Sequence, residues 1–117
     1  MRQENCTLEN LGYKRLETIV DMIGGKWKVR IVFMLALNGV LRYGELKKKL
    51  EPITHKMLTV QLKELIVEDL VIRKEYPQVP PKVEYSLSEK GRGLKPVVEK
   101  LYEWAEIHQI GKNDEKE

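Results

Sequence analysis

Cysteine and histidine are scarce in this sequence, which contains one Cys and two His among its 117 residues. A single chain therefore cannot assemble a zinc site from four Cys and His ligands, and it cannot close an internal disulfide. The lack of a disulfide framework is typical of proteins in a reducing compartment. We expect a cytoplasmic protein that binds no metal and no cofactor.

Long apolar runs are also absent. The best candidate spans nine residues, 29–37, and includes Arg30, whereas a membrane-spanning helix needs about 20. No apolar stretch follows the mostly polar first residues, so we expect neither a signal peptide nor a membrane anchor. Hydrophobic residues still make up 42 % of the chain, which is enough to fold one domain around a core without covalent cross-links.

The net charge of +3 is too small to indicate a partner by itself, but the charge is unevenly distributed. Residues 1–41 carry +2, residues 42–82 carry +3 and residues 83–117 carry −2. Residues 42–63 alone hold six basic groups against two acidic ones. This cluster suits a nucleic-acid-binding surface or an ordinary solvated Lys-rich face, and charge alone does not separate the two.

Hydrophobic periodicity predicts a mainly α chain with a small β-hairpin, an α+β class. We expect helices over 13–23, 26–37, 43–50 and 54–69, a very short strand at 40–41, strands at 71–76 and 83–87, and a last helix ending near 108. Thr54 and Ser88 are predicted N-caps, and glycines and a proline are expected to kink the first turns of the last helix. A helix pair followed by a hairpin is the winged helix-turn-helix order, in which the second helix enters the DNA major groove.

The same patterns predict the organisation of the chain. Residues 1–12 form an N-terminal arm that can contribute to a dimer interface. Residues 13–108 form a winged helix-turn-helix domain with flanking dimerisation helices. Residues 109–117 are polar and form a flexible C-terminal tail.

Four motifs then resemble a known family. They are IGGKWK at 23–28, RYGELK at 42–47, THKMLT at 54–59 and YPQVPPKVEYSL at 76–87. In this order they resemble the HxlR-type transcriptional regulators, which are small bacterial winged-helix proteins related to the MarR type. The resemblance covers residues 13–104. It implies a homodimer that binds double-stranded operator DNA and controls nearby genes, often in response to oxidants or electrophiles.

The helix predicted over 54–69 is the candidate recognition helix. With its leucines facing the core, the opposite side is free to meet DNA. The residues expected to contact DNA there are Thr54, His55, Lys56, Thr59, Val60 and Lys63. Lysine can donate to guanine, and the Thr59 methyl or Val60 can touch a thymine methyl. The alternative is an ordinary amphipathic helix with a solvated polar face.

Two of these positions depart from the family pattern. The family usually has Gln where this chain has His55, and a polar residue is common where it has Val60. The departures imply a different operator preference.

Flanking residues extend the predicted DNA surface. Phosphate, backbone or minor-groove contacts are expected from Lys47, Lys48, Arg73, Lys74, Gln78 and Lys82. Tyr43 has two interpretations, a hydrogen bond to phosphate or half-buried packing. Tyr76 and Tyr85 are expected to be cross-strand packing partners. Glu64 and Glu68 are interpreted as a solvated helix turn.

The last helix is the best candidate for a dimer surface, because its apolar stripe exceeds what one small domain must bury alone. The stripe consists of Leu94, Val97, Val98, Leu101, Trp104, Ala105 and His108. The alternative is that the stripe only packs within its own chain.

Cys6 is a candidate redox residue with two interpretations. An exposed thiol can oxidise or bridge two chains, or it can be an inert free cysteine. Many members of the family carry a sensing Cys about ten residues ahead of the Gly-Gly-Lys-Trp motif, whereas Cys6 lies 18 residues before Gly24. This spacing favours the inert interpretation.

We therefore predict a sequence-specific, double-stranded-DNA-binding transcriptional regulator that acts as a homodimer on a pseudo-palindromic operator. The alternative is a winged-helix protein-interaction module without DNA binding, against which the outward lysines argue because interface cores are depleted in Lys. We expect no enzymatic activity, since no nucleophile triad or paired catalytic carboxylates stand out. The sequence names no small-molecule or redox effector.

Overall fold

Six helices and three strands build residues 12–111, the part of the chain that the computed structural model describes. The elements are α1 (Tyr13–Ile23), α2 (Lys28–Asn38), β1 (Val40–Arg42), α3 (Tyr43–Lys49), α4 (His55–Val67), β2 (Val71–Tyr76), β3 (Lys82–Leu87), α5 (Glu89–Arg92) and α6 (Leu94–Ile107). Cys6 and most of the two predicted terminal segments lie outside the described residues. The predicted fold class, mainly α with a small β-hairpin, is confirmed.

The helix caps predicted from the sequence are present. The Thr54 side chain accepts a hydrogen bond from the Met57 amide at 3.1 Å and fixes the start of α4. The Ser88 hydroxyl accepts from the Gly91 amide at 2.9 Å and donates to the Asp69 carbonyl at 2.6 Å. Ser88 therefore ties the end of the sheet to the turn after α4. The expected irregularity follows it, because the helix breaks at Gly93 between α5 and α6.

The sheet contains one more strand than a hairpin. Its order is β1-β3-β2, and both neighbouring pairs are antiparallel. The short strand β1 pairs with β3, so that Leu41 faces Tyr85. This pairing attaches the sheet to the chain segment that runs directly into α3.

The expectation that Tyr76 and Tyr85 pack as cross-strand partners is wrong. The register of the hairpin pairs Tyr76 with Lys82 and Tyr85 with Arg73. Because side chains alternate between the two faces of a sheet, the two tyrosines point to opposite sides. Tyr85 is buried in the core, whereas Tyr76 is half-buried on the other face.

The core forms where α2 meets α4 and the sheet. Ile31, Val32 and Leu35 of α2 are buried, and all three lie on one side of the helix. The cluster also includes leucines of α3, α4 and the strands and of the segments that directly follow the two helices, namely Leu41, Leu46, Leu50, Leu58, Leu62, Leu65, Leu70 and Leu87. In contrast, α1 and α6 contain no buried residue.

The packing around Gly91 leaves no room for a side chain. A Cβ atom built there would overlap the carbonyl oxygen of Leu70 and press on the Leu87 side chain. We expect Gly91→Ala to lower the free energy of unfolding by about 1–3 kcal/mol, as overpacking does in other cores. Urea unfolding at one fixed protein concentration measures this change.

Gly44→Ala is the matched control. Gly44 lies in α3, and a Cβ atom there meets nothing within 4 Å. Alanine should stabilise this helix by about 0.5–1 kcal/mol because it loses less backbone entropy than glycine. Equal stabilities of the two variants would contradict the packing assigned to Gly91.

Candidate nucleic-acid interface

The outward side of α4 is the centre of the candidate interface. Leu58, Leu62 and Leu65 are buried, which confirms the predicted inward side of this helix. Of the residues expected to meet DNA, Thr59 is half-buried, and the exposed ones are Thr54, His55, Lys56, Val60 and Lys63. The burial of the leucines thus leaves a continuous accessible strip from the N-cap to the middle of the helix.

The lysines of this region carry unpaired charge. Lys56 and Lys63 project from α4, and Lys47 and Lys48 lie in the last turn of α3. Within residues 12–111, none of these four lysines forms an ion pair with a carboxylate. Lys48, Lys56 and Lys63 are exposed and Lys47 is half-buried, so unpaired positive charge of both helices is accessible at the surface.

Tyr43 connects α3 to the start of α4. Its hydroxyl oxygen lies 2.6 Å from His55 Nδ1, 3.1 Å from the His55 carbonyl oxygen and 3.3 Å from Thr59 Oγ1. The two rings also meet edge to face, with centroids 5.3 Å apart and planes inclined at 66°. Tyr43 is half-buried, as one of its two interpretations proposed, and its hydroxyl is already engaged by α4.

A second contact fixes α4 against α2. Lys28 Nζ lies 2.6 Å from Glu64 Oε1, and the lysine side chain is only 14 % exposed. Glu64 and Glu68 are exposed, as expected for a solvated helix turn, and Glu64 also pairs with Lys28. Lys28 and Glu64 are far apart in the sequence, so no local spacing signalled the pair.

The wing carries cations that are partly neutralised within the sheet. Arg73 lies 3.3 Å from Glu75 Oε1, and hydrogen bonding to Tyr85 and then to Glu75 raises the pKa of its guanidinium. Lys82 Nζ lies 3.3 Å from Glu84 Oε2. Lys74 and Lys82 also lie over the ring of Tyr76, at 5.0 and 4.8 Å from its centroid.

Gln78 and Lys74 are exposed residues of the wing. Lys74 forms no ion pair among the described residues, although its ammonium group lies over the Tyr76 ring. Of the predicted DNA residues, Tyr43, Lys47, Thr59 and Lys82 are half-buried and the others are exposed. The structure pairs Arg73 and Lys82 with neighbouring carboxylates.

Glu84 is held in its charged form by its neighbours. The Tyr76 hydroxyl donates to Glu84 Oε1 at 3.0 Å, and this hydrogen bond lowers the pKa of the carboxyl group more than the nearby Lys82 does. Partial desolvation opposes the shift but does not cancel it.

Replacing Tyr76 by Phe should raise the pKa of Glu84 toward its ordinary value of 4.5, because the charged form loses a donor. In the wild type, the stabilisation from Glu84 is present above the pKa of the unfolded chain and is lost as the pH falls through the lower folded-state pKa. A carboxyl-detected NMR titration measures the shift directly.

Tyr102→Phe is the matched control, since that hydroxyl donates to Glu106 on α6 at 3.2 Å. It should leave the pKa of Glu84 unchanged. An unchanged Glu84 pKa in Tyr76→Phe would show that the hydroxyl is not the dominant cause of the shift.

Two further findings concern the part of the chain covered by residues 12–111. No cluster of three or more His, Cys, Asp and Glu side chains is placed to hold a metal ion. Every helix in this range is too short or too polar to cross a membrane.

The helix pair α3–α4, the three-stranded sheet and the exposed loop between β2 and β3 define a winged helix-turn-helix protein. The family model described as HxlR-like helix-turn-helix matches residues 22–113. The chain belongs to this HxlR-like family, and it is a transcriptional regulator of the helix-turn-helix type. The resemblance seen in the four sequence motifs is thereby confirmed.

Individual relatives agree with this assignment. The chain is 55 % identical over 91 residues to MalR of Fusobacterium mortiferum, described as a proposed regulatory protein, and the match covers 78 % of this chain and 86 % of the relative. It is 52 % identical to BH0655 of Halalkalibacterium halodurans, an HTH-type transcriptional regulator, over 77 % of this chain and 80 % of that one. Among solved structures, the reduced form of the redox regulator HypR superposes with a TM-score of 0.77 at 42 % identity, covering 86 % of this chain and 98 % of that chain.

Proposed function

We propose that this regulator binds operator DNA as a homodimer, with α4 of each protomer in the major groove of a pseudo-palindromic site. The observation that carries the proposal is the accessible strip of α4, whose lysines are unpaired while its leucines are buried. Two recognition helices related by a twofold axis would read half-sites about one helical turn, 34–36 Å, apart. Bacterial DNA lies in the cytoplasm, where we accordingly expect the protein to act.

The proposed contacts fall into two groups. Base edges are within reach of the strip on α4, which consists of Thr54, His55, Lys56, Thr59, Val60 and Lys63. Phosphates or the minor groove are contacted from the α3 end and the wing by Tyr43, Lys47, Lys48, Arg73, Lys74, Gln78 and Lys82. Contacts of the second group position the protein and make its affinity depend on salt, whereas the first group gives specificity.

Dimerisation is supported by the apolar surface that one chain leaves uncovered. On α1, the exposed apolar residues are Tyr13, Leu16, Ile19 and Val20. An isolated helix of 11 residues is marginal in water, so this face needs a covering partner to be stable. We propose that the partner is the second protomer.

On α6 the proposed interface residues divide into two sets. Leu94, Val98 and Ala105 are half-buried, and α6 packs against α2 in its own chain. Val97, Leu101 and Trp104 are about half exposed, and His108 is exposed beside the Trp104 ring. Intramolecular packing therefore accounts for part of the stripe, and we propose that the second protomer covers the rest.

Neutralising a lysine of the phosphate-contacting group tests the DNA interface. Lys48→Ala should weaken operator binding and reduce the slope of log affinity against log salt by about 1, because one phosphate contact no longer displaces a counterion. Fluorescence anisotropy with a duplex selected from a random pool, repeated over a salt series, gives this slope.

Lys100→Ala is the matched control, since Lys100 is exposed on α6 and pairs with Glu103 at 3.5 Å. It should leave the salt slope unchanged. Absence of DNA binding by the wild type at low salt, or equal slopes for both variants and the wild type, would contradict the proposed interface.

A charge in the exposed part of α6 tests the dimer. Leu101→Glu would bury a carboxylate in the proposed interface, so sedimentation equilibrium should show a shift from dimer toward monomer and operator affinity should fall with it. Lys95→Glu introduces the same group on α6 outside the apolar stripe and should remain dimeric. A Leu101→Glu protein that dimerises like the wild type would exclude this helix from the interface.

A further inference from the structure

A cavity of about 380 Å³ lies between α2, the sheet and the start of α6, and its described lining includes no residue of the proposed DNA surface. The floor of the cavity is aliphatic, because Leu35 of α2 and Leu87 of β3 are both buried there. Ala36 and Val40 add two further aliphatic walls. Cavities in which proteins bind small molecules measure about 300–1,000 Å³, so this one has room for a small ligand.

The mouth of the cavity carries positive charge only. The exposed side chains of Arg92 and Lys95 border it, and no Asp or Glu belongs to the lining that residues 12–111 provide. Neither cation forms an ion pair with a carboxylate in that range. The electrostatic potential at the mouth therefore favours an anionic ligand over a neutral or cationic one.

The Arg92 guanidinium is held in place by the backbone and keeps donors to spare. Its Nη1 atom donates to the Leu87 carbonyl oxygen at 3.2 Å, and its other N–H groups have no acceptor among the described residues. A planar guanidinium can bind both oxygens of a carboxylate. Ser86 is half-buried in the same lining, and its hydroxyl has no hydrogen-bond partner within residues 12–111. The cavity thus offers donors at its mouth and aliphatic surface below.

We propose that this cavity binds a small aliphatic carboxylic acid in its ionised form, with Arg92 and Lys95 on the carboxylate and the chain on the aliphatic floor. No aromatic ring belongs to the described lining, so the cavity offers a flat aromatic ligand no stacking partner. At about 30 Å³ for a group the size of a water molecule, the volume holds roughly a dozen such groups, which suits an acid of about eight carbons. The inference goes beyond the proposed function and does not depend on it.

The ligand class is tested by calorimetric titration of the full chain with octanoate, kept below its micelle concentration. We expect saturable binding of one octanoate per protomer. Octan-1-ol and octylammonium keep the chain but remove or reverse the charge, and each should bind about tenfold more weakly or worse. Acetate keeps only the carboxylate and should also bind more weakly, because it buries almost no apolar surface. The absence of saturable octanoate binding, or equal affinities for octanoate and octan-1-ol, would overturn the inference.

Arg92→Ala tests the contact with the carboxylate, and Lys90→Ala is its matched control. Both side chains are exposed cations of α5 that donate to a backbone carbonyl, Lys90 to that of Glu68 at 2.9 Å, but only Arg92 lines the cavity. Arg92→Ala should weaken octanoate binding about tenfold, the effect of losing a hydrogen bond to a charged group. Lys90→Ala should bind octanoate like the wild type. Equal octanoate affinities of the two variants would overturn the assignment of the anion contact.

Methyl NMR shows where the octanoate chain lies. We expect nuclear Overhauser contacts from the ligand to the methyl groups of Ala36 and Val40, which line the cavity. Leu16 of α1 and Leu101 of α6 are the controls, because they are exposed apolar residues outside the cavity lining to which an octyl chain can also adhere. Contacts to Leu16 or Leu101 without contacts to Ala36 and Val40 would assign the binding to those helices and overturn the inference.

Ala36→Leu tests the aliphatic part of the site and decides the inference if Arg92→Ala does not fold. Ala36 is half-buried in the lining, so a larger side chain there takes up space meant for the ligand and leaves both cations in place. Its octanoate affinity should fall about tenfold, and wild-type affinity in the folded variant would overturn the inference. None of these measurements uses DNA. A protein that binds octanoate but no operator would refute the proposed function alone, and one that binds operator but no octanoate would refute this inference alone.

Discussion

The packing of three leucines of α4 against α2 and the sheet is the constraint on which the rest of the structure depends. Leu58, Leu62 and Leu65 are all buried, and this fixes the rotation of α4 about its axis. A different rotation would expose these leucines to water and would lose about 1.5–3 kcal/mol of hydrophobic stabilisation for each of them. The polar strip of α4 faces outward as a consequence, and the Lys28–Glu64 ion pair and the Tyr43 hydroxyl hold the helix in that orientation.

The sequence predicts a helix or strand well where the spacing of apolar residues or a capping residue determines it. The leucine spacing predicted the inward side of α4, Thr54 and Ser88 predicted two helix starts, and β2 spans the expected residues. Contacts between distant residues could not be predicted in this way. The Lys28–Glu64 pair and the Tyr43–His55 contact join different helices, and the hairpin register that separates Tyr76 from Tyr85 is set by the intervening loop.

The fold sharpens the uneven distribution of charge. The helix pair is already the more basic part by sequence, and the wing in addition balances Arg73 with Glu75 and Lys82 with Glu84. The lysines of α3 and α4 have no such partners among residues 12–111. The positive electrostatic potential of the domain therefore comes mainly from the helix pair. This agrees with the proposal that the helix pair approaches the major groove and that the wing adds a secondary contact.

The absence of buried residues in α1 and α6 has a consequence for how the proposed regulator responds to its own abundance. In the proposed homodimer, the second chain would cover the exposed sides of these helices, so that their stability and the assembly of the dimer would share one equilibrium. Operator occupancy would then rise with roughly the square of protomer concentration while the protomer is scarce. A modest change in synthesis or degradation of the protein would produce a larger change in the expression of its target genes.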